Sequence, residues 1–331
     1  MNIENKLMSI QEVNTLIHLG RSLVIAGDET LLRQLDLGNW IGGTIPYFMD
    51  KNGGSVNHEE VFVTDFTDVI LQAKIESYDN TQISSTMLED RYANGFSYVL
   101  LPGFSTIHQT YALETGEVAS LFDVPVMGWI TGVHLDDIGV KTPKVFDGKT
   151  GEVSENKACV MHCSLKKGSY AELDIVNIYE QGVGDKIEVD ANSFSCLDCR
   201  INDEPANLAD YYIEHDIDVS LPLVANYSGA SINVSVQAVK ENEREMSFFA
   251  PLLQGRTYYV AKPIEDLYQA FSEALPKDTS ALLCSCNCIL NYVNIQMENK
   301  FTGDFRGPFT FGEIAYVLVN QTMVTLSIHN D

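Results

Sequence analysis

Basic residues are scarce in this 331-residue chain. Lys and Arg together number 21 against 46 Asp and Glu, which gives a formal net charge of -25. A surface of this sign repels nucleic-acid phosphates and anionic lipid headgroups, because binding to them requires clustered basic side chains that displace counterions. The composition therefore disfavours a nucleic-acid-binding or membrane-surface function.

Long apolar runs are absent as well. No stretch of about 18 uninterrupted apolar residues, the length that a membrane-spanning helix needs, occurs in the sequence. The first residues, 1–14, include Glu4 and Glu12 and have no basic stretch leading into an apolar core, so they do not resemble a secretory signal. We therefore predict a cytoplasmic protein.

The familiar catalytic signatures are also missing. The sequence has no Gly-x-x-x-x-Gly-Lys-Ser/Thr phosphate loop, no Gly-x-Gly-x-x-Gly after a strand, no His-Glu-x-x-His and no Gly-x-Ser-x-Gly elbow. We therefore expect a non-catalytic protein without a cofactor. Absence of a motif does not exclude catalysis, and a Cys/His-dependent hydrolase or transferase stays as an alternative.

What is present is the composition of a folded protein. Apolar residues make up 45 % of the chain and charged residues 20 %, and a chain of this length can form two domains with hydrophobic cores. The patterns predict a mixed α/β (α+β) protein with two lobes, made of mixed β-sheets with flanking helices. We place a single domain boundary near residue 190, between 1–190 and 191–331.

Strand–helix–strand units recur three times along the chain. The first has a strand at 22–26, a helix at 29–37 with Asp28 as its N-cap, and a strand at 39–45. Two strands joined in this way pair most easily in parallel. The other two units lie at 96–132 and 281–315. Further helices are predicted at 9–19, 206–215 and 264–275, and a half-buried strand at 231–238.

In each unit the second strand is interrupted by glycine. Glycine lets the backbone approach another group closely, and the crevice at the carboxyl ends of strands is the usual ligand site of open α/β sheets. Bare backbone N–H groups there can hold an anion. The predicted pocket wall consists of Gly42, Gly43, Thr44, Gly128, Trp129, Thr131, Gly132, Phe311, Gly312 and Glu313. The alternative is that these glycines form bulges or tight packing contacts.

The ordered set of motifs resembles the FIST family of sensory domains, in both its N-terminal and C-terminal halves, over nearly the whole chain. The likeness is carried by "WIGGTIPYF" at 40–48, "DVPVMGWITG" at 123–132, "FSCLDCRINDEPANLADYYIEHDID" at 194–218, and "LLCSCN" with "GPFTFGEIAYVLVNQTMVTL" near residues 282–326. The resemblance implies a cytoplasmic sensor of small molecules, with amino acids as suggested ligands. No kinase, methyl-accepting or cyclase segment is visible, so a separate signalling protein is the expected partner.

Glu313 lies between a glycine and an apolar run. A carboxylate in so apolar a setting should be paired, because burying it alone is very costly. Two interpretations are open. The side chain receives the ammonium group of a ligand, which would suit an amino-acid sensor, or it is the N-cap or first-turn acid of a short helix.

Seven cysteines fall into three clusters. Cys196 and Cys199 have half of a zinc-site spacing, and Cys159 with His162 and Cys163 could supply the rest. However, Cys159 and Cys163 lie about 13 Å apart along a predicted strand, too far for one metal ion. The third cluster, 284–288, has the alternation of small core residues. We therefore predict no metal site.

Among the seven histidines, His134 is the best placed for a site because it directly follows the second glycine strand. A pairing of His134 with Cys286 would form a nucleophile arrangement. The leading prediction is a sensory protein that binds a small polar ligand, with His134 and Cys286 beside the glycine strands. A hydrolase or transferase and a scaffold protein without a ligand are the alternatives.

Overall fold

The computed structural model describes residues 5–227 and 230–330, which form two compact units. Within the described residues, the first unit consists of 5–176, 275–317 and 323–330, and the second of 177–227, 230–274 and 318–322. The chain thus leaves the first unit twice, for residues 177–274 and again for residues 318–322, and returns to it each time. This division differs from a single boundary near residue 190, because the last strands of the chain pair with strands of its first half.

The helices are short. They are α1 (Ile10–His18), α2 (Glu29–Leu32), α3 (Thr86–Glu89), α4 (Thr106–Glu114), α5 (Leu208–Glu214), α6 (Leu267–Ala274) and α7 (Ile289–Asn294). A capping box between Ser9 and Glu12 starts α1. Within the described residues, no helix is long and apolar enough to cross a lipid bilayer.

Strands dominate the first unit. They are β1 (Lys6–Met8), β2 (Leu23–Gly27), β3 (Trp40–Thr44), β4 (Tyr47–Asp50), β5 (Gly53–Val56), β6 (Val61–Asp65), β7 (Ile70–Tyr78), β8 (Gly95–Pro102), β9 (Val126–Thr131), β10 (Val145–Asp147), β11 (Val153–Ser154), β12 (Ala158–Leu165) and β13 (Ser169–Val176). In the second unit and the returning chain they are β14 (Ile187–Glu188), β15 (Ser193–Cys196), β16 (Asp198–Ile201), β17 (Glu204–Asn207), β18 (Leu223–Tyr227), β19 (Ala230–Val234), β20 (Val236–Lys240), β21 (Glu245–Leu252), β22 (Tyr258–Val260), β23 (Leu282–Cys288), β24 (Gly307–Thr310), β25 (Glu313–Ala315), β26 (Val317–Val319) and β27 (Met323–Asn330).

Three mixed sheets build the first unit. Their strand orders are β1-β6-β2-β3-β10-β11, β25-β9-β8-β12-β7 and β13-β27-β23-β24-β4-β5. The predicted parallel pairs are confirmed, since β2 pairs in parallel with β3, β8 with β9, and β23 with β24. Strands β2, β3, β8 and β9 are buried along their whole length, which explains their continuous apolar sequences. The mixed α+β fold class is thus confirmed.

The second unit is built on β17-β16-β14-β22-β18-β19 and β15-β21-β20. Its core includes Leu208, Tyr212, Leu223, Phe248 and Tyr258. The strand predicted at 231–238 is interrupted at Ser235, whose backbone N–H donates to the side chain of Asn320 at 3.2 Å instead of to a neighbouring strand. The interruption separates β19 from β20.

One predicted helix ends earlier than expected, and α4 ends directly before a threonine. The helix predicted at 29–37 ends at Leu32, and Asp28 makes no capping hydrogen bond because its carboxylate is bonded to His58. Helix α4 ends at Glu114, where the Thr115 hydroxyl donates to the carbonyl of Tyr111. Threonine bonding back to the preceding turn competes with helical geometry and bends helices.

Candidate functional site

The three glycine-interrupted strands converge. The backbone N–H of Gly132 donates to the carbonyl of Thr44 at 2.7 Å, which joins the end of β9 to the end of β3. The backbone N–H of Ile130 donates to the carbonyl of Gly312 at 2.8 Å, and the backbone N–H of Phe311 donates to the carbonyl of Ile130 at 3.0 Å. These two hydrogen bonds link β9 to the segment before β25. The predicted convergence is thus a feature of the first unit.

The space beside these glycines is filled by other side chains. A Cβ atom on Gly43 would lie 2.5 Å from the methyl group of Thr131 and 2.6 Å from the indole ring of Trp129. A Cβ atom on Gly132 would lie 2.4 Å from the ring of Phe311. Here the glycines admit large aromatic rings into the core, which is the packing alternative rather than an open pocket.

Gly42 and Gly128 permit close backbone packing. A Cβ atom on Gly128 would lie 1.8 Å from the carbonyl oxygen of Val99 on the neighbouring strand. One on Gly42 would lie 2.9 Å from the ring of Trp40 and 3.2 Å from the carbonyl oxygen of Ile25. Neither glycine borders the cleft described below.

Glu313 and Cys286 are interior residues. Glu313 is fully buried in β25, paired with Trp129 of β9, and accepts a hydrogen bond from the Thr310 hydroxyl at 3.3 Å. The prediction that it caps a short helix is therefore wrong, because the segment is extended. The Cys286 thiol donates to the carbonyl of Gly128 at 3.5 Å, and burial raises its pKa well above the usual value.

A cleft of about 110 Å³ opens at the carboxyl ends of the parallel strands. Of the predicted site residues, Thr44, Gly132 and His134 line it, whereas Gly42, Gly43, Gly128, Trp129, Thr131, Phe311, Gly312, Glu313 and Cys286 do not. Asp28, which follows β2 directly, lines it as well. The cleft is thus at the place where open α/β sheets bind ligands.

His134 is held in a fixed orientation. Its ring stacks on Tyr47 with centroids 5.4 Å apart, and the backbone N–H of Asp136 donates to its Nδ1 at 3.3 Å. We assign the proton of the neutral ring to Nε2, since Nδ1 acts as an acceptor. None of the described residues accepts a hydrogen bond from Nε2, so this donor is available to a ligand.

Charged groups of both signs surround His134. The Lys141 ammonium lies 2.8 Å from the Asp137 carboxylate and lowers the pKa of that group. Partial burial raises the pKa of Glu29, but hydrogen bonds from Lys144, at 2.6 Å, and Arg33 outweigh it and leave that pKa lowered. The cleft therefore offers carboxylate acceptors, an ammonium group and an imidazole donor within one small volume.

The pairing of Asp28 with His58 was not predicted. Asp28 Oδ2 lies 2.6 Å from His58 Nδ1, and the His58 ring lies 5.8 Å from that of His134, measured between centroids. The position of Asp28 at the end of a buried parallel strand was the available sequence signal. No local pattern pointed to His58, which lies 30 residues further along the chain.

The cysteines do not form a metal site in the described part of the chain, where no group of three or more His, Cys, Asp or Glu side chains could hold a metal ion. All seven are free and buried. No described hydrogen bond joins Cys286 to a histidine. The Ser97 hydroxyl does lie 2.8 Å from Nδ1 of His162, but both side chains are fully buried in the sheet.

Comparisons with known proteins give one result. No curated protein and no solved structure matches the chain. A protein-family profile matches residues 8–329, which is nearly the whole sequence. The chain therefore belongs to DUF6976, a family of unknown function.

Proposed function

We propose that this protein is a cytoplasmic binding protein for a small zwitterionic ligand, such as an amino acid, and that it signals the presence of the ligand to a separate protein. The observation that carries the proposal is the available Nε2 donor of His134 in a cleft with charges of both signs. A carboxylate of the ligand would accept from Nε2 and approach the Lys141 ammonium. An amino group would face Asp28 and Glu29.

The size of the cleft limits the part of the ligand that it can enclose. Its 110 Å³ is smaller than the cavity of about 150 Å³ that holds one benzene ring. At that ratio about four to five non-hydrogen atoms fit, close to the size of the amino and carboxyl groups of an amino acid with their shared carbon. The side chain of such a ligand would project into solvent.

The signalling part of the proposal concerns the segment from His134 to Lys144, which contributes His134, Asp137, Lys141 and Thr142 to the wall of the cleft. Ligand binding would break or rearrange the Lys141–Asp137 pair at the surface of the first unit. A ligand can shift a conformational equilibrium only through different affinities for the two states. The resemblance to FIST sensory domains agrees with this function and stays a prediction from the sequence.

The direct test is a thermal-shift and calorimetric screen of the amino acids. A ligand at 100 times its dissociation constant stabilises the folded state by about 2.7 kcal/mol. We expect His134→Ala to abolish the response and His134→Gln, which can place an amide donor near the position of Nε2, to retain part of it. His18→Ala is the matched control, since His18 is exposed on α1 and does not line the cleft.

Two results would contradict the proposal. If no amino acid stabilised the wild-type protein, amino acids would be excluded as the ligand class. If His134→Ala responded as strongly as wild type, the His134 cleft would be excluded as the binding site. Hydrogen exchange of residues 134–144 with and without ligand tests the signalling step separately. Unchanged exchange in this segment would leave a binding protein that is not a sensor.

A further inference from the structure

A second cavity lies in the first unit, on one face of the sheet that contains β13 and β27. Its volume is about 360 Å³, within the range of small-molecule sites. Cross-strand partners share a face of a sheet, and the register pairs Glu172 with Ser327 and Asp174 with Thr325. Both pairs line the cavity.

The cavity is strongly acidic. The carboxylates of Glu172, Asp174 and Asp278 line it, and none of the described residues that line it is a lysine or an arginine. His329 lies 2.9 Å from Glu172, measured from Nε2 to Oε2, and is the one group there that can carry a positive charge. A cation is therefore the ligand that the charge of this cavity favours.

Two hydroxyl groups in the cavity have no partner among the described residues. Thr325 is only 3 % exposed, and Ser327 is half-buried, yet neither side chain makes a hydrogen bond there. Both residues line the cavity and neither hydroxyl oxygen is among the fully buried atoms without a partner, so these oxygens are open to the cavity and available to a bound molecule. Hydroxyl oxygens accept hydrogen bonds from ammonium groups.

The spacing of the carboxylates distinguishes an organic cation from a metal ion. In the part of the chain that the structure describes, no three His, Cys, Asp or Glu side chains are close enough together to hold a metal. The acidic groups are instead distributed around a cavity whose wall also contains the apolar side chains of Leu282 and Phe305. This arrangement suits a short aliphatic chain with a positive charge at each end.

We propose that the cavity beside β13 and β27 is a binding site for an aliphatic diamine. One ammonium group binds Asp174 and the hydroxyl groups of Thr325 and Ser327. The other binds Glu172 or Asp278, and the methylene groups contact Phe305. This site is separate from the His134 cleft.

Calorimetry with 1,4-diaminobutane at low salt tests the proposal on the full chain. We expect saturable binding with a dissociation constant below about 1 mM. Asp174→Asn should raise that constant about tenfold and Thr325→Val several-fold. Glu117→Gln, at an exposed glutamate that does not line the cavity, should leave it unchanged.

The proposal would be overturned by the absence of saturable binding up to about 10 mM diamine, by equal binding to Asp174→Asn, or by displacement of the diamine by 1 equivalent of Mg²⁺ or Ca²⁺. Equal affinity for 1-aminobutane would overturn the requirement for two charges. Added NaCl should weaken binding, because it screens attraction between exposed charges. Circular dichroism of each variant separates loss of binding from loss of folding.

Discussion

The methyl group of Thr131 lies 2.5 Å from the position that a Cβ atom on Gly43 would occupy. This contact joins the ends of two strands from different sheets and leaves no room for a side chain at Gly43. We expect Gly43→Ala to destabilise the protein by about 1 to 3 kcal/mol, the usual cost of overpacking a core. Urea unfolding measures the change.

The control for this substitution is Gly184→Ala. No atom lies within 4 Å of a Cβ atom placed on Gly184, so the added methyl group meets nothing. Gly184→Ala should leave the free energy of unfolding unchanged or raise it slightly, since alanine has fewer backbone conformations than glycine in the unfolded chain. If Gly43→Ala were as well tolerated as Gly184→Ala, the strand ends would be more loosely packed than described.

Thr131 leads to a prediction of the opposite sign. Its side chain is fully buried, and its hydroxyl makes no hydrogen bond with any described residue. Thr131→Val keeps the shape and removes the unpaired polar group, so it should stabilise the protein by about 1 kcal/mol. Thr310→Val is the matched control, because the buried Thr310 hydroxyl donates to the Gly312 carbonyl at 3.0 Å and its loss should destabilise. A destabilised Thr131→Val variant would contradict the assignment of an unpaired hydroxyl.

Stability should fall as the pH is lowered below 6.5. Burial lowers the pKa of His108 and of His162 to about 4, against about 6.5 in an unfolded chain. Between these values the unfolded state binds more protons than the folded state, so the free energy of unfolding decreases with decreasing pH. The loss at pH 5 is roughly 2 kcal/mol per histidine.

Urea unfolding at pH 7.5, 6.0 and 5.0 measures this loss. His162→Gln should reduce the slope of the unfolding free energy against pH, because Gln does not titrate. Its amide can still bond to the hydroxyl groups of Ser97 and Tyr78, which lie 2.8 Å from the two ring nitrogens of His162. An equal slope in wild type and variant would show that His162 does not contribute. A flat profile in the wild type would contradict the prediction for both histidines.

Cys199 should be the first cysteine to react with iodoacetamide in the folded protein. The neighbouring Cys196 thiol lowers the pKa of Cys199, whereas burial raises the pKa of Cys159, Cys163 and Cys286. The thiolate is the reactive form, so alkylation follows the lowered pKa. Mass spectrometry of short reactions identifies the modified residue. Faster modification of Cys286 than of Cys199 would contradict the predicted order.

The sequence predicted the parallel strand pairs and the meeting of the glycine strands because both follow from local patterns. Continuous apolar runs around a short helix indicate buried parallel strands, and β2 with β3 and β8 with β9 have this pattern. The sequence could not show that the rings of Trp129 and Phe311 occupy the space beside Gly43 and Gly132. That outcome depends on contacts between distant segments.

The cleft itself was predicted only in part for the same reason. Thr44, Gly132 and His134 border it and follow glycine-interrupted strands, so their positions could be anticipated. The pairing of His58 with Asp28 joins a turn to a strand end and leaves no periodic signal in the sequence. The return of the chain to the first unit after residue 274 likewise leaves none.

The return of the chain to the first unit also affects how the protein is made. Strand β13 pairs with β27, so that Ser169 bonds to Asn330, 161 positions later. At a synthesis rate of about 5 to 20 residues per second, the ribosome needs roughly 10 to 30 s to make that partner. During this interval the nascent chain exposes an unpaired strand, and contacts between such distant segments also slow folding. Chaperone binding during translation would therefore protect this protein at β13.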